Sequence, residues 1–225
     1  MTSDATPDPE APVVDVRLFP LSRVTLFPGV RLPFHIFEPR YRELLAHALD
    51  ADGLIAIPQA VPAPGGSAIA AVFGVGEITR WVTHPDGTSD IEVTGRFRGR
   101  FLEELPSEAG YRMARVRRLE DEMPDPAAAR GIADDLRQRL RALDRWGVSE
   151  SARDVVDGMF EKAESGPTLD VGFLVNILAT VVIGDAGVRQ ALLEESSVAE
   201  RARHLGTILD TLRQELGGRS DPSEG

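Results

Sequence analysis

Cysteine is absent from the 225 residues, and of the 25 lysines and arginines all but Lys162 are arginine. Without a thiol there is no disulfide, no thiolate metal site and no cysteine nucleophile. Lys162 stands in Phe-Glu-Lys-Ala-Glu with no glycine loop before it, so an ATP-cradling P-loop is excluded. A Ser–Lys dyad would have to use this same lysine, which stands between Glu161 and Glu164, a poor setting for a catalytic base. The arginine bias itself follows from codon usage in a GC-rich genome. Positive charge is short overall: 36 acidic residues give a net charge of −11. Residues 1–124 hold 13 basic and 18 acidic side chains and residues 125–225 hold 12 and 18, so both halves are acidic. That balance argues against broad binding to nucleic acid or anionic membranes.

Long apolar runs are missing too. The longest lies near Phe173–Ile183, about eleven residues interrupted by Asn176, where a bilayer span needs ~20. Met1–Glu10 has neither a basic region nor an apolar stretch, so no secretory signal is expected, and a cytoplasmic location is. No Gly-x-Ser-x-Gly elbow occurs, and no carboxylates are paired in an apolar setting. The histidines His35, His47, His84 and His204 are scattered without ligand spacing, and His35 reads as a packed residue bonded to backbone. Gly74-Val-Gly76-Glu-Ile-Thr79 is a partial dinucleotide fingerprint. Its third glycine is missing and a strand follows, so the glycines read as bends. The chain is expected to be no enzyme and to need no cofactor or metal.

What is present is a change of pattern near residue 122. Residues 1–12 are rich in Pro, Asp and Ala and are expected to be disordered. Residues 13–122 read mostly as strands. Val14, Val16 and Leu18 alternate with polar residues, two short apolar strands flank the Phe27-Pro28-Gly29 turn, and Pro39 opens a helix behind Glu38. Leu54–Ile57 is a short strand, residues 61–67 a Pro/Gly loop, and Gly76–Gly95 a hairpin around His84-Pro85-Asp86-Gly87. Arg96–Leu105 and Tyr111–Leu119 supply further strands. Residues 123–216 read as helices. Asp125-Pro126 starts one, Ser149 caps a second, and Gly166-Pro167-Thr168 breaks and caps a third. Asp185 starts a short fourth near Val188–Leu193, and Ser197-Val-Ala-Glu200 is a capping box for the last. That last helix carries Val198, Ala202, Leu205, Leu209, Leu212 and Leu216 on one stripe, fit for packing inside the bundle or against a second copy. Residues 217–225 are a polar tail.

Leu26-Phe-Pro-Gly29, then Leu32-Pro-Phe-His-Ile-Phe-Glu-Pro-Arg-Tyr-Arg42, resembles the opening signature of the Lon protease N-terminal, substrate-binding domain. The resemblance runs on through Gly74–Arg80, Asp90–Leu102 with Gly95-Arg-Phe-Arg98, and Tyr111–Glu120. It covers about residues 14–216, weakening along the chain. It implies an α+β fold: a small coiled β-barrel (PUA-like) with one helix, then an α-helical bundle, without the ATPase and protease domains. It also implies a module that binds unfolded or extended polypeptide, by exposed apolar side chains near the barrel–helix junction or by adding a strand to the barrel edge. Such a module would act as an adaptor to a separate protease or as a chaperone-like factor in quality control. Candidate contact residues are Phe27, Phe37, Glu38, Arg40, Tyr41, Arg42 and Trp81, the last read as an exposed anchor, although the signature phenylalanines suit a core better than a contact surface. The alternative is an RNA-binding barrel that uses an arginine face of Arg96, Arg98 and Arg100, with Phe97 and Phe101 on the other face. On the opposing reading the phenylalanines are core, and the arginines pair with Glu92, Glu103 and Glu104.

Overall fold

A computed structural model describes residues 11–63, 66–143, 150–166 and 168–218. Of the expected tails 1–12 and 217–225, residues 1–10 and 219–225 lie outside the described residues, as do the Ser149 cap and Pro167, while residues 217 and 218 end the last helix instead. The chain divides into two compact units: residues 1–120 with 185–196, and residues 121–184 with 197–225.

The first unit is a six-stranded sheet in the order β2 (Arg31–Ile36), β7 (Ser89–Leu105), β6 (Val72–Thr83), β3 (Leu54–Ile57), β1 (Val13–Leu18), β8 (Met113–Leu119). β8 also pairs with β7, which bends the sheet into a ring. The long strand β7 makes this possible. One edge pairs with β6 from Ser89 to Arg100, while the other pairs first with β2, from Ser89 to Thr94, and then with β8, from Arg98 onward. Among the described strands, β1 and β3 alone pair in parallel. Two strands expected separately, the return of the hairpin and Arg96–Leu105, are thus one strand. The expected loop 61–67 instead contributes to a small two-stranded sheet, β4 (Ala60–Ala63) with β5 (Gly66–Ile69).

The segment before Gly29 is not a strand. Residues 19–30 are irregular and spend their backbone donors elsewhere: Leu21 N–H on Pro58 O (3.1 Å) and Gly29 N–H on Gly95 O (2.9 Å). Leu26 and Phe27 instead cross the β6–β7 pair. A Cβ at Gly74 would sit 1.9 Å from the Leu26 carbonyl oxygen, and one at Gly95 would sit 2.1 Å from that of Phe27. The glycines read as bends are therefore the seat of the Leu-Phe-Pro-Gly segment, and a bulge does lie beside them, between Val75 and Gly76.

α1 (Pro39–Leu49) begins with Pro39 at its first position, where no intrahelical N–H is lost. It buries Tyr41, Leu44, Leu45 and Ala48 against a cluster containing Phe19, Leu26, Ile55, Ile78 and Ile91. Phe19 meets the Tyr41 ring edge-on at 4.6 Å. A second cluster, with Val16, Leu18, Phe73, Val75 and Val116 at its centre, draws in Phe97 and Phe101. α5 (Ala186–Glu194), capped by Asp185, belongs to this unit, whereas the sequence reading keeps it within the bundle.

The second unit contains α2 (Pro126–Leu143), α3 (Glu150–Glu164), α4 (Val171–Val182) and α6 (Val198–Gly218). Asp125 Oδ1 accepts from Ala127 N and Ala128 N at 2.9 Å, as an N-cap should. Asp170, not Thr168, caps α4 by accepting from Phe173 N. α4 is the apolar run of the sequence, and its Val171, Leu174, Val175, Leu178 and Ala179 are buried. The stripe residues Val198, Ala202, Leu205 and Leu209 are buried within the chain, so that part of the stripe is core rather than a free seam. Arg201 is also fully buried, donating to Asn176 Oδ1 at 2.6 Å and ion-paired with Asp121 at 2.5 Å.

Candidate functional site

The seven candidate contact residues do not form one surface. Phe27 and Tyr41 are buried and belong to the core. Burial is also what pushes the Tyr41 phenol above its ordinary pKa, partly opposed by Arg40. Arg40 lies over the Tyr41 ring at 4.5 Å and pairs with Glu38 at 2.8 Å, so these two charges form a local exposed pair. Arg42 lays its guanidinium against Gly87, in the β6–β7 turn. Phe37 and Trp81 are exposed, at 62% and 53%.

Strand register resolves how these last two are related. His35 and Val82 both lie directly opposite Asp90, one on each side, so the three form a row on one face of β2–β7–β6. Phe37 stacks on His35 with ring centroids 6.2 Å apart, placing it beside that row. Val82 is 61% exposed. Trp81 pairs with Ile91 and so points to the opposite face. The exposed apolar pair on one face is therefore Phe37 with Val82, and Val82 went unnoticed because a valine at a strand end carries no signal of its own. β2 has β7 as its ladder partner and, among the described residues, no strand on its other edge. Pro33 removes one donor from that edge.

Three polar groups meet on the same face. His35 Nδ1 lies 2.7 Å from Asp90 Oδ1, and His84 Nε2 lies 2.8 Å from Asp90 Oδ2. Hydrogen bonds from the two imidazoles, His35 first, hold the Asp90 carboxyl below its usual range. Their ligand atoms lie within 4.8 Å of one another, making this the group among the described residues that could hold a metal ion. The histidines judged scattered in the sequence are thus partly gathered. The signal was the hairpin: its turn returns His84 toward Asp90, and β2 then supplies His35. The other two histidines lie elsewhere, His47 against the Tyr111 hydroxyl at 2.9 Å and His204 against Arg203.

The arginine face is corrected. Arg98 is 1% exposed. It donates from Nη1 to Leu193 O at 3.1 Å, at the C-terminal end of α5, and from Nη2 to Glu120 O at 3.0 Å. α5 covers the outer face on which Arg98 stands: Gln190 also donates to Val72 O at 2.8 Å, and Arg189 to Arg23 O at 2.9 Å. A cation there meets unsatisfied helix carbonyls and the negative end of the helix dipole. Arg96 pairs with Glu77, and Phe97 and Phe101 pack on the core. No strip of three free arginines exists for RNA. Lys162 caps the Phe173 ring at 5.0 Å, a packing role. Among the described residues, the second unit bears surface depressions. One is of about 440 Å³ between α2 and α6, and one of about 610 Å³ is bordered by Met123, Ala133 and Val171. No described helix is long and apolar enough to cross a membrane.

Comparison with known proteins agrees with this arrangement. Residues 15–211 match the family model of the ATP-dependent protease La (LON) substrate-binding domain. Lon protease 2 of Herpetosiphon aurantiacus is 26% identical over 203 residues, spanning 88% of this chain and 24% of that protein. Lon protease of Cytophaga hutchinsonii is 25% identical over 202 residues, 86% of this chain and 24% of that protein. The chain thus spans about a quarter of the length of these curated relatives. Among solved structures, the N-terminal domain of Mycobacterium avium complex Lon protease superposes with a TM-score of 0.65 at 18% identity, covering 88% of this chain and 98% of that one. The Lon N-terminal domain protein from Xanthomonas campestris gives 0.56 at 18%, covering 85% and 96%. With the barrel, the signature seated on its glycines and a match over most of its residues, the chain belongs to the Lon substrate-binding domain family.

Proposed function

We propose that this chain binds extended or unfolded polypeptide without catalysis, as an adaptor that presents clients to a separate protease or as a chaperone-like factor. The observation that carries the reading is the exposed apolar pair Phe37 and Val82, set on one face of β2–β7–β6 in a chain of the substrate-binding family. Exposed apolar side chains with a polar rim suit a short apolar stretch of client, and each such contact is worth a few kcal/mol at most. The unpaired edge of β2 offers main-chain groups to the same client, with Pro33 limiting how far a strand can be added. The sequence holds no P-loop lysine, so binding is expected to be independent of nucleotide.

The test is fluorescence anisotropy of a labelled, permanently unfolded polypeptide titrated with this protein at low and high salt. Saturable binding that changes little with salt, and that weakens about fivefold or more in Phe37→Ser with Val82→Ser, supports the reading. Absence of binding, or binding untouched by the double substitution, refutes it.

A further inference from the structure

The His35–Asp90–His84 cluster has geometry beyond what a surface hydrogen-bond group needs. Its members come from three strands or their ends, and regular pairing fixes them. His35 and Asp90 are direct partners in the β2–β7 ladder. His84 follows β6 at the mouth of the hairpin, where its N–H donates to Thr88 O at 2.8 Å and its carbonyl accepts from Gly87 N at 2.9 Å. The turn is locked again by Asp86, whose carboxylate accepts from Thr88 N at 2.9 Å and from Thr88 Oγ1 at 2.8 Å. Gly87 adopts a φ of 81°, which a residue with a side chain resists. Asp86 is thereby occupied inside the turn, and Asp90 is left as the carboxylate aimed at both imidazoles. The Phe37 ring flanks His35 with its plane tilted by only 21°.

We infer that His35 Nδ1, His84 Nε2 and an Asp90 carboxylate oxygen form a binding site for a divalent first-row transition ion, with Zn²⁺ the natural probe. Two imidazoles and one carboxylate are a borderline N₂O donor set, suited to Zn²⁺ and its neighbours rather than to Ca²⁺ or Mg²⁺, which take oxygen ligands. Metal–ligand bonds of about 2.0–2.2 Å place ligand atoms ~3.3–3.5 Å apart, so a cluster already inside 4.8 Å closes on an ion by side-chain rotation alone. The ion would lie where the cluster now shares protons, and the exposed side of the sheet leaves its remaining coordination positions to water or to a group brought by a partner. The site stands independently of the polypeptide reading, although it shares a face with Phe37 and Val82.

The test is calorimetric titration of the full chain with Zn²⁺, in the absence of any polypeptide. The expected result is one ion per chain with a Kd of about 10 μM or tighter, weakened at least tenfold by His35→Ala, by His84→Ala and by Asp90→Asn, and unchanged by His204→Ala. The three side chains are well exposed, so circular dichroism is expected to show native folding in each variant. Long-range proton–nitrogen NMR on the unmodified protein gives a second readout that needs no variant: Zn²⁺ should shift the ring nitrogens of His35 and His84 and leave those of His47 and His204 in place. No binding below about 100 μM, or binding that survives loss of both His35 and His84, overturns the inference.

Discussion

Gly74→Ala is expected to cost about 3–4 kcal/mol, although it adds one methyl group. The new Cβ would lie 1.9 Å from the Leu26 carbonyl oxygen and 2.8 Å from its carbonyl carbon. Ordinary contact needs some 3.4 Å, so backbone must move by more than an ångström. That backbone cannot move freely. The Leu26 side chain is fully buried, and the segment just beyond it is tied to β7 by Gly29 N–H to Gly95 O at 2.9 Å and Gly95 N–H to Val30 O at 2.8 Å. Overpacking side chain against side chain costs about 1–3 kcal/mol, and pushing main chain against main chain belongs at or above the top of that range. For a chain of this size each kcal/mol lowers Tm by roughly 2–4 °C, giving a fall of about 6–16 °C. The assay is urea and thermal unfolding followed by Trp81 fluorescence in a Trp146→Phe background, so that the signal comes from the first unit. Gly131→Ala is the control. Nothing lies within 4 Å of its Cβ position, and in the exposed interior of α2 it should stabilise by about 0.5–1 kcal/mol. A loss below ~1 kcal/mol for Gly74→Ala would refute the claim that the signature segment is pressed onto the sheet through that glycine.

Arg98→Met keeps the aliphatic stem but strands the carbonyls of Leu193 and Glu120, and should cost about 2–4 kcal/mol by urea unfolding, with protease cleavage appearing first around α5. Leu209→Asp places a carboxylate in a fully buried position and should unfold the second unit rather than dissociate a dimer, which circular dichroism and light scattering separate. Asp121→Ala leaves the buried Arg201 without its carboxylate and should cost about 3 kcal/mol, more than Asp121→Ala combined with Arg201→Met, in a double-mutant cycle. The Arg112 guanidinium, at 2.8 and 2.7 Å, holds Glu104 below its ordinary carboxylate range. Its contribution is therefore present above the unfolded value of 4.5 and is lost as pH falls through the lower folded value. Glu104→Gln should flatten the acid side of the Tm–pH curve, and an unchanged curve would exclude the pair as a source of it.

Local chemistry was legible in the sequence wherever the decisive partner is near in the chain. Asp125 and Asp185 are caps, Pro39 opens α1, and the Pro-Asp-Gly turn folds the β6–β7 hairpin. Errors arose where a distant segment supplies the environment. Alternation made Arg96, Arg98 and Arg100 a face, but the register shift between Gly95 and Phe97 takes Arg96 out of that row, and a helix nearly a hundred residues on covers Arg98 and turns it from contact residue to helix cap. The glycines of β6 looked like bends because nothing in their neighbourhood reveals that Leu26 and Phe27 pass over them. At the candidate site, the sequence named Trp81 as an exposed anchor but placed Phe37 with the signature phenylalanines that favour a core, and hydropathy, blind to register, could not tell that the two face opposite ways. The pairing of His35 with Asp90 is likewise a fact of strand alignment, not of spacing.

The placement of α5 has a consequence for how the protein is made. The chain leaves the first unit at Glu120, spends residues 121–184 on the second, returns for 185–196, and leaves again. Neither unit is a contiguous stretch. A nascent chain released up to Glu120 has the strands of the ring but not the helix end that receives Arg98, and the ribosome needs roughly 4–15 s more to deliver it. During that interval an arginine and an uncovered outer sheet face stand open to water. A fragment cut at the visible composition change near residue 122 would keep them open permanently, and is expected to be far more prone to aggregation than the whole chain.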